Sequence, residues 1–230
     1  MAGVVTMHVW RVTARRVPWA LGAVALDRRR IRALAGVRFA KLLGTSRGFA
    51  VSDADLTRWA LLVSWASREA AGAFESTPVS RRWGAASRES WQAVLRPLAS
   101  RGTWSGRTPF AGSPARWDGP VAAITRARLA PRRVVAFWRA VPPVAADLTR
   151  RPGLCVAFGV GEAPLGVQGT FSVWRDATEL RGYAYDGTAH RDAIRMTAAR
   201  RWYAEELFAR FAVLSASGLL DGRDPLAAAS

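Results

Sequence analysis

The chain has 230 residues, half of them apolar, with a formal net charge of +17 and one cysteine. This length and composition exclude a disordered chain, a collagen and a coiled coil, and they suffice for a buried core in one large domain or two small ones. The single cysteine excludes a disulfide scaffold and any zinc site built on several thiolates. No apolar run approaches the roughly 20 residues of a membrane span.

Strand 4-VVTMHVWRV-12 comes first, rich in valine. Pro18 opens the helix 18-PWALGAVALDRRRIRAL-34, with arginines late in the helix where cations suit its dipole. After Gly36 the strand 37-VRFAKLLG-44 and a polar loop lead to the strand 58-RWALLVSW-65. Ser67 caps a short helix over 67–75, a second short helix covers about 78–88, and the strand 91-WQAVLRPLAS-100 closes the set. Residues 102–119, dense in Gly, Pro and Ser, read as a linker. The same order then returns: strand 121–129, helix 131–148, strands 154–161 and 167–174, a helix over 177–185 capped by Asp176, a helical stretch over 188–200, and strand 202–217.

The two halves match in places. Gly36-Val37 answers Gly153-Leu154, Trp65 answers Trp174, Phe74 answers Tyr185, and Leu95 and Leu98 answer Phe208 and Phe211. A near-constant offset marks a tandem duplication. The chain therefore divides into a first βαββαβ repeat (1–101), a linker (102–119), a second repeat (120–218) and a tail (219–230). Each ferredoxin-like repeat presents a sheet with helices on one face and a bare apolar face. Packing the bare faces together predicts an α+β barrel of the dimeric type within one chain. A further homodimer is optional, since one chain already completes the barrel.

Of the 34 basic residues, 33 are arginine and one is Lys41. Residues 1–119 carry +12 and residues 120–230 carry +5. The densest run, 27-DRRRIR-32, reads as a solvated helix face; contact with an anionic surface, a membrane or nucleic acid, is the alternative. Arginine in place of lysine beside so much alanine and glycine is a compositional bias, so nucleic acid is not the expected partner. The N-terminus lacks a charged start followed by an apolar stretch, so a cytoplasmic protein is expected, with peripheral membrane contact left open.

Few residues can carry metal chemistry. The chain has two histidines, His8 and His190. A zinc site would need both, with Cys155, from three separate elements. Haem iron needs one protein ligand. His190 lies in a helical stretch with Arg191 and Arg195, whose guanidinium forks match propionates. Downstream, Trp202, Tyr203 and Phe208 supply an aromatic wall suited to a haem or a long lipid-like substrate. A surface or capping role for His190 is the alternative. His8, alternating with Thr6 and Trp10, reads as a satisfied core histidine. Cys155 reads as a small buried hydrophobe, with an axial thiolate as the alternative.

The stretches 8-HVWRV-12, 37-VRFAKLLGT-45, 117-WDGPVAAITRARL-129, 161-GEAPLGVQGTFSVW-174, 189-AHRDAIRMT-197 and 201-RWYAEELFARFAVLSASG-218 resemble the spheroidene monooxygenase-like family over about residues 8–225. The resemblance implies a tandem ferredoxin-like barrel, oxygenation of an acyclic carotenoid to a ketone, haem b, and a histidine of the second repeat, here His190, as the iron ligand. It does not set the substrate beyond an apolar small molecule. Electrons would come from an external donor such as a ferredoxin, because no flavin or iron–sulfur motif is present. For oxygen activation the expected donors are Arg126, Gln168 and Thr170, with Ser172 on the same face of its strand. The rival readings are a haem dehydratase of the aldoxime type, a cofactor-free monooxygenase or lyase on the same barrel, and a non-enzymatic module binding nucleic acid or an anionic surface.

Overall fold

Alternation of apolar and polar residues along strands of six to sixteen residues builds eight strands that close on themselves, leaving no unpaired sheet edge. The computed structural model describes residues 3–48, 53–112, 115–129, 148, 150–162, 169–186 and 203–227. The first repeat comprises β1 (Val4–Val12), α1 (Val17–Arg32), β2 (Val37–Ser46), β3 (Ala54–Trp65), α2 (Arg68–Ala73), α3 (Pro78–Ala86) and β4 (Ser87–Gly102). The second comprises β5 (Val121–Leu129), β6 (Leu154–Gly161), β7 (Gly169–Trp174), α4 (Ala177–Asp186) and β8 (Tyr203–Gly218). The helices expected over 131–148 and 188–200 fall almost wholly outside the described residues.

The order around the barrel is β1-β3-β2-β6-β7-β5-β8-β4, with every neighbour antiparallel. This is the α+β barrel of fused ferredoxin-like units that the sequence predicts. Inward residues such as Met7, Leu62, Trp91, Phe158, Phe171 and Phe211 form one apolar core. A second core lies between the first sheet and its helices, built around Trp10, Trp59, Leu61 and Trp83.

Local chemistry sets the helix starts. The Ser67 Oγ accepts from the Ala70 amide (3.2 Å), and the Thr77 Oγ1 accepts from the Ser80 amide (3.2 Å) ahead of Pro78 at the first turn. Asp176 accepts from the amides of Thr178 (2.7 Å) and Glu179 (2.9 Å) at the start of α4.

The duplication is visible in the register. Leu95 pairs with Val213 and Pro97 with Phe211, two pairs that exchange under an offset of 116. On the opposite side Gly44 pairs with Gly161, its own counterpart. The repeats therefore meet about a pseudo-twofold axis through these two seams. This register corrects the expected matches in the last strand, and the aromatic contacts correct the one in the helices. Leu95 answers Phe211 in the barrel core, and Leu98 answers Leu214 outside it. Phe74, against Trp65 at 5.8 Å, answers Tyr183, stacked on Trp174 at 5.3 Å, rather than Tyr185.

The region read as a linker begins later than expected. β4 runs to Gly102, and Trp104–Arg107 forms a tight turn with Ser105 and Gly106 at positive φ (55° and 70°). Leu220–Arg223 repeats it, with Asp221 and Gly222 at 57° and 76°. Two consecutive positive φ values are the geometry that Ser-Gly and Asp-Gly favour in two-residue hairpins. A Cβ on Gly102 would fall 2.2 Å from the Glu206 carbonyl oxygen, and one on Gly218 the same distance from that of Ser90. Only glycine fits at both.

Candidate functional site

The barrel interior is filled and closed at both ends by ion pairs. At one end Arg11 donates to Glu89 (3.2 Å), Asp55 (3.2 Å) and Asp221. Arg58 donates to Asp221 (3.1 Å), Thr45 (3.1 Å) and the Ser46 carbonyl (3.0 Å). A solvent-open hollow of about 680 Å³ lies over this cluster, lined in part by Arg47, Arg88 and Ala157. Its two buried arginines are engaged on all three nitrogens, so they offer little to a ligand.

The opposite end draws its charged groups from both repeats. Arg126, 5% exposed, pairs with Glu205 and with Glu162 (3.1 Å) and lies over the Trp104 ring. Lys41 completes the cluster at 2.7 Å from Glu162. Glu89 accepts from the amides of Asp221 and Gly222, and Glu205, its counterpart, accepts from the Gly106 amide. Burial alone would raise the Glu205 pKa, but the Gly106 amide, Arg126 and the loop donors outweigh it and hold the carboxyl at about 2.

Arg126→Leu is therefore expected to act on folding. It strips the partner from a buried carboxylate, a loss of about 3–5 kcal/mol measurable by denaturant titration. In the native protein the Glu205 contribution is complete above its ordinary 4.5 and is lost as pH falls toward about 2. In the variant the acid limb moves upward. A loss of turnover at unchanged stability would instead place Arg126 at the reacting centre.

With the barrel interior filled, the outer sheet faces are left for a ligand. Here the two repeats diverge. Across the first sheet, Gln92, His8, Leu61 and Leu42 form one row by register. His8 (6% exposed), Leu61 (0%) and Leu42 (3%) are sealed beneath the helical layer. Across the second sheet the matching row is Phe208, Thr125, Thr170 and Gly159. Thr125, Thr170 and Phe208 are only half-buried. The counterpart of Trp10 one step along is Ala127, and Ala123 and Ala157 flank the row. The second face is thus stripped of the bulky side chains that fill the first.

The expected site residues distribute unevenly over this geometry. Thr170 and Phe208 lie on the thinned face, adjacent through Thr125. The Arg101 guanidinium sits 4.5 Å from the Phe208 ring. Arg126 does not share this face. It pairs with Gly169 while Thr125 pairs with Thr170, so it points into the barrel. Ser172 is occupied by the Trp174 indole N–H (2.9 Å), as Thr6 is by that of Trp65 (2.9 Å). Gln168, His190, Arg191, Arg195 and Trp202 lie outside the described residues, and Tyr203 is described only as the first residue of β8.

His8 is a core residue against Phe74 (4.8 Å) and Trp10 (5.7 Å), as expected, though only partly satisfied: Gln92 hydrogen-bonds the imidazole, while Nε2 has no hydrogen-bond partner among the described residues. Burial pushes the Cys155 thiol upward, which disfavours a thiolate ligand. Among the described residues no three His, Cys, Asp or Glu side chains gather into a metal site, and no helix is long and apolar enough to cross a membrane.

Thr125 and the Ser105-Gly106/Asp221-Gly222 turns escape the sequence reading. The turns had a signal in 102-GTWSGR-107 and 218-GLLDGR-223, which share glycines and arginine at an offset of 116. Thr125 had none, because only strand register places it beside Thr170.

Comparison with known proteins agrees with this architecture. The chain is 36% identical over 217 residues to the spheroidene monooxygenase of Rhodobacter capsulatus, covering 92% of this chain and 90% of that protein. It is 41% identical over 194 residues to the spheroidene monooxygenase of Rubrivivax gelatinosus, covering 82% and 73%. A solved aldoxime dehydratase superposes with a TM-score of 0.60 at 12% identity, over 92% of this chain and 82% of that one. An aldoxime dehydratase in complex with butyraldoxime does so with the same score and identity, over 97% and 84%. At that identity the two structures establish the fold alone. No family model matches the chain.

Proposed function

The chain belongs to the spheroidene monooxygenase family, and from that premise we propose that it is a haem-dependent monooxygenase of an apolar, carotenoid-like substrate, with its site over the outer face of the second repeat. The thinned row of Thr125, Thr170 and Gly159, set against the filled row of His8, Leu61 and Leu42, carries this reading.

The residues present fit a flat macrocycle. Such a group needs a broad floor without protruding side chains, and Ala123, Ala127, Ala157 and Gly159 present none larger than a methyl. His190 is the proposed iron ligand, with Arg191 and Arg195 for the propionates and Trp202 and Tyr203 as further walls. When bound, haem supplies the iron centre at which dioxygen is reduced, one oxygen atom passing to the substrate and the other to water, with two electrons from an external donor such as a ferredoxin.

The chain's own groups set the surroundings. The Thr170 and Thr125 hydroxyls are neighbours across β7 and β5, and each can donate one hydrogen bond from the floor. Gln168, two residues before Thr170 in the chain, is the proposed further donor. Phe208 gives the floor an apolar edge suited to a polyene rather than to a charged substrate. The filled barrel beneath keeps bulk water from entering through the sheet.

Haemin titration tests the reading. The protein is expected to develop a Soret band saturating at one haem per chain, and the loaded protein to consume oxygen with an acyclic carotenoid and reduced ferredoxin. A protein that stays colourless with excess haemin refutes it. Oxygen-independent turnover of an aldoxime would transfer the site to dehydratase chemistry.

A further inference from the structure

We propose that the outward face of α1 is a docking surface for an anionic lipid bilayer. Pro18, Leu21, Gly22, Ala25 and Leu26 are exposed and follow the i, i+3, i+4 spacing that puts them on one stripe of the helix. Leu26 is 60% exposed and Leu21 38%. Among the described residues the only other large apolar side chain left so open is Leu219. The opposite stripe, Ala20, Ala23, Val24 and Ile31, is buried against the first sheet.

The rim of this stripe is cationic. Arg15 and Arg16 precede it, and Arg29, Arg30 and Arg32 follow it, all exposed. The one acid of the helix, Asp27, is fully buried and turned inward, where it accepts from the Trp83 indole (3.0 Å), Arg82 and Arg30 (3.3 Å). Of the rim arginines Asp27 holds Arg30 alone, so no carboxylate of α1 offsets Arg15, Arg16, Arg29 or Arg32. Leucines flanked by arginines match an anionic interface, where the apolar side chains enter the headgroup–acyl boundary and the arginines meet lipid phosphates. A nucleic acid would leave the two leucines in water, so lipid is the better complement.

The position of α1 gives the surface a use. Arg28 donates to the carbonyls of Leu42 (3.2 Å) on β2 and of Glu162 just past β6, so the helix leans over the seam between the repeats. Gly159, at the near edge of the thinned row, borders that seam through its pairing with Ser46. A bilayer held at α1 would lie beside the seam across which an apolar substrate would reach the second repeat. The surface stands independently of the haem assignment, since vesicle binding requires neither cofactor nor turnover.

The experiment is co-sedimentation of the full chain with vesicles of phosphatidylglycerol and phosphatidylcholine in equal parts, against phosphatidylcholine alone. Binding is expected only to the anionic vesicles and to weaken with added salt. Leu21→Gln with Leu26→Gln, both solvent-facing and expected to leave the melting temperature unchanged, should lower the partition coefficient about tenfold or more. Arg29→Gln with Arg32→Gln should lower it and flatten its salt dependence. Equal binding to neutral vesicles, or undiminished binding by the folded leucine variant, overturns the proposal. So does a dimer, seen by light scattering, that the leucine substitutions convert to monomer, since the face would then cover a second copy. Binding to duplex DNA that outcompetes the anionic vesicles would do the same.

Discussion

Gly159→Leu combined with Thr170→Leu is expected to abolish haem uptake while leaving the protein folded. These changes give the second sheet the side chains that its counterpart already carries, since Leu42 and Leu61 pair in the first repeat as Gly159 and Thr170 pair in the second. The first repeat shows that the barrel accepts leucines at both positions, where they are buried against the helical layer. In the second repeat they would project from the floor into the volume assigned to the macrocycle. Forcing extra methylenes into an occupied space costs about 1–3 kcal/mol at each site, and each 1.4 kcal/mol is tenfold in affinity. The two together should weaken haemin binding by roughly 10²-fold or more. The reciprocal pair, Leu42→Gly with Leu61→Thr, should leave haem uptake intact and lower stability by several kcal/mol, on the order of 2–5 for each deeply buried large-to-small change. Undiminished haem uptake by the Gly159/Thr170 variant would place the cofactor elsewhere.

His190→Ala should lose haem, whereas His8→Leu should keep it and become more resistant to acid. His8 is buried against Trp10 and Phe74 on the filled face of the first repeat, with no room for an iron beside it. Burial lowers its pKa from 6.5 to about 4, opposed in part by a hydrogen bond with Gln92. The native imidazole therefore stays neutral in a range where the unfolded chain takes up a proton. The resulting penalty is absent above about pH 6.5, grows as pH falls, and is complete below about 4. The interval corresponds to roughly 3 kcal/mol. Leucine removes the titrating group and fills much of the same apolar space. The difference in melting temperature between His8→Leu and the parent should thus widen from pH 7.5 to pH 4.5, with the Soret band unchanged in both. Bleaching by His8→Leu, or full haem retention by His190→Ala, would reverse the assignment of the two histidines.

Much of the fold was legible before any coordinates. The spans Val4–Val12, Val121–Leu129 and Leu154–Gly161 have the bounds that their apolar runs and flanking Gly and Pro predict, and Ser67 and Asp176 cap the helices they precede. These features depend on neighbours within a few residues, so a linear reading reaches them. The repeat was legible too, though its alignment slipped by two residues at Tyr185 and by three at the last strand. Side-chain type tolerates such slips, and strand pairing does not.

The sequence alone determined the element order, the duplication and the family, because periodicity, capping and turn chemistry are local and the repeat preserves them. Tertiary structure decided which face each strand presents to what. Arg126 and Thr170 stood together as expected oxygen-side donors, yet the pairing of Arg126 with Gly169 turns the arginine into the barrel and leaves the threonine outside. The same closure gathers Arg11, Asp55, Glu89 and Asp221 at one end, and Arg126, Glu162 and Glu205 at the other, from strands far apart in the chain. It also aligns Thr125, Thr170 and Gly159 into a row whose smallness has meaning only beside His8, Leu61 and Leu42. Alternation along a strand divides its residues between two faces, but register against the neighbouring strands decides which residues meet, and register is a property of the closed barrel.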